Sequence, residues 1–146
     1  MNLIREAEEL MSLAKELGIG MRLLEQSDAE RLTKTTLEVF TPFKISGHLG
    51  IGKNSIELPI DRWEFSYMDY LPQEVGYIFF EQNSELKGKT VLEIENLKLL
   101  GKILIKTSGM EYFLTNQDMN FLIAVNWYVI EIAGVVEEQM KKLLDL

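Results

Sequence analysis

The chain has no cysteine and a single histidine, His48. The first absence excludes structural disulfides and thiolate metal sites, and it suits a reducing compartment, so a cytoplasmic location is expected. The second excludes a multi-histidine zinc or iron centre within one chain, and neither a metal nor a cofactor is expected. Basic clusters are scarce too. Lysine and arginine number 15 against 23 aspartates and glutamates, for a formal charge of −8, and the basic residues gather into nothing denser than pairs such as Lys141-Lys142. Proteins that displace counterions from nucleic acid need a basic stripe, so direct nucleic-acid binding is not expected. The longest apolar run, residues 121–136, is too short to span a bilayer and contains Asn126 and Glu131. The opening "MNLIREAEELMSLAKEL" is charged throughout and reads as a helix, not as a signal peptide. A soluble protein with no membrane partner is expected. With neither a cysteine nor a G-x-S-x-G element there is no advocate for nucleophilic catalysis, and a non-enzyme is expected.

What is present is enough for one core. Of 146 residues, 47% are hydrophobic and 26% charged, the balance of a globular domain and not of a disordered chain. Leu3, Ile4, Ala7, Leu10, Met11, Ala14 and Leu17 recur at helical spacing, and "GIG" at 18–20 ends that stripe. Ser27 with Glu30 forms a capping-box pattern for a second helix, stopped at Thr41-Pro42. From Phe43 to Ile60 the period drops to two, predicting a hairpin or strand pair that turns near Lys53-Asn54. "VGYIFFEQ", "TVLEIE", "EYFLT" and "WYVIEIAG" read as strands. "NLKLLGKILIK" reads as a helix, "NQDMNFLIAVN" as a short helix capped by Thr115 or Asn116, and "VVEEQMKKLLDL" as a closing amphipathic helix. The expectation is a single α+β domain over residues 1–146. Its central, mostly antiparallel sheet is flanked by helices, with amphipathic helices at both termini.

Residues 46–55, "SGHLGIGKNS", carry the spacing of a phosphate-binding loop from Gly47 to Gly52-Lys53. Asn54 stands where a magnesium-binding hydroxyl is required, and "SIELPID" continues at period two with Pro59 where the loop's helix should run. A hairpin loosened by Gly47, Gly50 and Gly52 is the better reading, with a small nucleotide-binding enzyme using 47–53 as an alternative. His48 has no sequence neighbour to orient it and reads as a loop histidine without a role. Glu93 and Glu95 share one face of a strand, as a solvated edge does.

The segment "DRWEFSYMDYL" interleaves rings with acids, the composition of a patch that recognises a basic surface. Asp61, Trp63, Glu64, Tyr67, Asp69 and Tyr70 are the candidate partner-binding residues. Trp127 and Tyr128 are expected to begin a buried strand. The run Leu58-Pro59-Ile60-Asp61 with Glu64-Phe65 resembles the "LPxDYxxF" element of the SUKH superfamily, or of a related small immunity-protein family, with Arg62 where that element has an aromatic. The resemblance implies an α+β immunity protein that binds a secreted toxin, with no cofactor. The combined expectation is an acidic binding protein, an immunity protein or antitoxin that covers a basic toxin or nuclease domain. A phage-encoded or defence-related inhibitor mimicking nucleic-acid charge is the alternative in kind, and a homodimer through the terminal helices is open.

Overall fold

The structure is a computed structural model that describes residues 3–42, 48–52, 54–80 and 90–146. Its frame is one antiparallel sheet of seven strands in the order β1-β4-β3-β5-β6-β7-β2. These are β1 (Met21–Leu23), β2 (Ile56–Pro59), β3 (Gly76–Phe79), β4 (Val91–Ile94), β5 (Tyr112–Asn116), β6 (Phe121–Val125) and β7 (Val129–Gly134). Helices α1 (Arg5–Leu17), α2 (Gln26–Phe40), α3 (Ile60–Trp63), α4 (Leu100–Leu104) and α5 (Glu137–Lys141) surround it, with 3-10 turns at Tyr67–Tyr70, Leu97–Leu99 and Lys142–Asp145. The α+β class, the antiparallel sheet and the amphipathic helices at both ends agree with the sequence. No helix among the described residues is long and apolar enough to cross a membrane.

Strand alternation sends side chains to two unequal faces. On one, Ile78, Leu92, Ile94, Leu114, Ile123, Ile130 and Ile132 pack against α1, the 63–71 segment, α4 and α5 as one large core. On the other, Tyr77, Phe79, Val91, Phe113, Leu122, Ala124 and Ala133 meet α2 together with Leu49 and Ile51. Phe79 and Phe113 stack at 5.0 Å across β3 and β5 at the centre of this second cluster. At the two ends of the second face polar side chains replace the apolar ones: Arg22 with Glu93, and Glu57 with Glu131.

Several local expectations change. Strand β2 pairs with β7, and among the described residues it does not pair with 49–51; the remainder of the expected hairpin or strand pair, with Phe43, Ile45, Gly47 and Lys53, lies outside the described residues. The helix required after a phosphate loop is absent because β2 occupies its place. Helix α2 starts at Gln26 with Glu25 as its N-cap and no side-chain cap, so Ser27 lies inside it and the capping box is not used. Its stop at Thr41-Pro42 holds: Thr41 takes a left-handed conformation and its N–H bonds the Leu37 carbonyl. The helix expected over 116–126 is instead a tight turn and strand β6. Asn116 and Asn120 close that turn by exchanging two hydrogen bonds of 2.9 and 3.2 Å, with Met119 at a positive φ of 52°.

Candidate functional site

The six sequence-predicted contact residues divide. Trp63 and Tyr67 are core: Tyr67 is fully buried and its hydroxyl meets that of buried Tyr112 at 2.8 Å. Trp63, 7% exposed, is closed off by the Arg62 guanidinium 5.1 Å above its ring and by Tyr70 edge-on at 5.9 Å. Neither ring is offered to a partner, and the expectation that they anchor one is corrected. Asp61, Asp69 and Tyr70 are exposed, and Glu64 is half-buried. Burial pushes the Glu64 carboxyl above its ordinary range. This segment is fixed by close backbone approach: a Cβ on Gly101 of α4 would stand 2.3 Å from the Phe65 carbonyl oxygen. Of the matched positions in the resemblance, Leu58 is buried in β2, while Pro59, Asp61 and Phe65 are exposed.

Because α2 covers the middle of the second sheet face, clefts open at both ends, and their charge differs. The cleft at the β1–β4–β3 end, about 330 Å³, contains Arg22, Asp28, Arg31 and Tyr77. It is internally matched. Arg22 grips Glu93 with two hydrogen bonds of 2.6 and 3.0 Å, and the Tyr77 hydroxyl donates to the same carboxylate at 3.1 Å. The Arg22 guanidinium holds the Glu93 carboxyl below its ordinary value. Glu95 turns instead to the Gly20 N–H at 2.7 Å, so Glu93 and Glu95 do not act as a pair.

The cleft at the β7–β2 end, about 390 Å³, is lined by His48, Glu57, Asn126, Tyr128 and Glu131, with the chain at Leu49-Gly50. His48 is oriented after all. Its Nδ1 lies 2.5 Å from Glu111 Oε2, while the other oxygen of Glu111 accepts the Leu49 N–H at 2.9 Å. One carboxylate thus fixes both the ring and the segment that carries it. Glu131 is 5% exposed and accepts from the Ile51 N–H at 3.0 Å and, more weakly, from the Ser55 hydroxyl at 3.4 Å. Glu57 stands opposite Glu131 in the β2–β7 register, which puts their Cβ atoms about 4.5–5.5 Å apart. Glu57 is exposed and has no hydrogen bond or ion pair among the described residues. Among the described residues no lysine or arginine lines this cleft.

The aromatic wall comes from the β6–β7 hairpin. Asn126 N–H bonds the Val129 carbonyl at 3.2 Å, leaving Trp127 and Tyr128 as its tip. Two-residue hairpin tips usually need positive φ, yet neither residue has it. The Asn126 side chain holds the turn instead. Its Oδ1 accepts the N–H groups of Tyr128 and Val129 at 2.7 and 2.9 Å, and its Nδ2 donates to the Leu49 carbonyl at 2.9 Å. Trp127 is 51% and Tyr128 70% exposed, so the expectation that they begin a buried strand is corrected; that strand starts at Val129. Tyr128 meets the His48 ring edge-on at 5.0 Å. Among the described residues no group of three or more acids or imidazoles is arranged to hold a metal ion.

No single stretch of sequence announces this site, since His48 and Glu111 lie 63 residues apart and meet only through the fold. Compared with known protein families, characterised proteins and solved structures, the chain matches none, so its function is argued from the site alone.

Proposed function

We propose that this chain is a non-catalytic binding protein that covers the active surface of a basic protein, in its most concrete form an immunity protein or antitoxin facing a nuclease-type toxin. The observation that carries the reading is the acidic cleft at the β7–β2 end, in which no described residue supplies a lysine or arginine and which is rimmed by a ring that is 70% exposed. Exposed aromatics beside unmatched charge are what a partner of opposite charge uses: rings supply contact area and carboxylates supply register and steering. A nuclease surface is positive because it holds phosphates, and a chain of net charge −8 is drawn to it at a distance. Asp61, Asp69 and Tyr70 are further exposed acidic and aromatic residues, on the segment that packs against the other face of the sheet.

The test is capture by the immobilised protein at low and at high salt, with bound proteins identified by mass spectrometry. One basic partner retained at low salt and released at high salt is expected. A partner that is not basic, or one held equally at both salts, would overturn the reading. The His48–Glu111 pair favours one second reading, acid–base chemistry on a small cationic substrate. The two separate cleanly, because His48→Gln would abolish turnover in the second and leave the carboxylate contacts of the first in place.

A further inference from the structure

We propose that the β7–β2 cleft receives one arginine side chain of the partner, its guanidinium seated against Glu57 and Glu131 and facing the ring of Tyr128. The inference rests on the reading of the chain as a binding protein and names the group that its site holds.

The contrast between the two clefts carries the argument. At the β1–β4–β3 end the fold supplies its own guanidinium, and Arg22 satisfies Glu93 with two parallel hydrogen bonds. At the β7–β2 end the same sheet face presents two acids on neighbouring strands, and among the described residues no guanidinium lines the cleft. Glu57 and Glu131 oppose each other in register, and like charges in that arrangement repel. A cation between them removes the repulsion. Glu131 keeps acceptor capacity for it, since a carboxylate has about four lone-pair sites and, among the described residues, two donors reach this one.

The shape selects the cation. About 390 Å³ is far more than a bare ion fills and is within the range of cavities that take an organic group. Two carboxylates abreast match the planar donor fork of a guanidinium better than the single point charge of an ammonium. The exposed Tyr128 ring adds a π face of the kind on which guanidinium stacks. His48, locked by Glu111 and set edge-on to Tyr128, fixes the orientation of that ring before anything binds. His48 is in this account a positioning residue.

The experiment titrates the protein at low ionic strength with a doubly blocked arginine amide, followed by chemical shifts and calorimetry, with the equivalent lysine amide as comparison. The expected result is saturable binding of the arginine amide with a dissociation constant on the order of 1 mM, and weaker binding of the lysine amide. Glu57→Gln and Tyr128→Ala, both at exposed positions and checked for folding by circular dichroism, should each weaken it by roughly tenfold. Absence of saturation, unchanged affinity in Glu57→Gln, or equal affinity for the lysine amide would overturn the assignment. The same variants in the capture experiment separate the two levels. If the partner is captured but the arginine amide does not bind, the assignment of the cleft falls and the binding reading stands. If neither is bound, both fall.

Discussion

Tyr67 and Tyr112 show how a residue chosen for its surface chemistry can belong to the core. Their hydroxyls satisfy each other inside the main cluster, where neither reaches solvent. Tyr67→Phe should cost about 1–3 kcal/mol, because it leaves the Tyr112 hydroxyl buried without a partner. Tyr67→Phe with Tyr112→Phe should cost less than the sum of the two single changes, measured by urea unfolding in a double-mutant cycle. Burial raises both phenols above their ordinary value of 10.0, so the folded state keeps protons that the unfolded chain gives up. The sign follows: their contribution is intact below about pH 10 and is lost as pH rises beyond it, and alkaline unfolding should expose both phenolates together. Glu64 behaves in the same sense in a lower range. Burial raises its folded pKa above 4.5, so its charged form is a cost to the native state at neutral pH. Glu64→Gln should therefore stabilise the protein at pH 7, with the gain vanishing below about pH 4.5, as thermal melts across pH would read. Glu93 has the opposite sign. Held low by Arg22, it stabilises above its unfolded value of 4.5, and that contribution is lost as pH falls through the lowered folded value.

Among the elements, the hairpin tip and the α4 approach decide where the surfaces lie. Asn126→Ala removes the acceptor of two backbone N–H groups and the donor to Leu49, and should cost about 1–3 kcal/mol. Hydrogen exchange at Tyr128 and Val129 should accelerate before the sheet as a whole is affected. Gly101→Ala places a methyl group against the Phe65 carbonyl, and should cost about 1–3 kcal/mol and shift the 61–70 segment. Elements with one clean period were legible in the sequence: α1 and the C-terminal helix as amphipathic stripes, β3 and β4 as β-rich runs between turn residues. Strand β6 was not, because all five of its residues are buried and a strand covered on both faces has no alternation to read. Its apolar run reads as a helix for that reason. Trp127 and Tyr128 read as buried because large rings usually signal burial, whereas here an asparagine side chain supports a turn that displays them.

For the molecule as a whole, sequence and structure contribute different parts of the same account. The acid excess was visible in the composition and, in the proposed reading, sets the sign of the partner but not where it would bind. The cleft was invisible because it is assembled from β2, β7, a hairpin tip and the 48–51 segment, which only the antiparallel pairing of β2 with β7 brings together. The measurement closest to the central claim compares capture of a basic partner by three proteins at low salt. These are the wild type, the cleft variant Glu57→Gln with Tyr128→Ala, and a control, Glu38→Gln with Glu138→Gln, which removes the charge of two exposed helical acids. The account predicts that the cleft variant loses the partner while the control retains it. Equal retention by both variants, or equal loss, would contradict it, since binding would then not depend on the cleft.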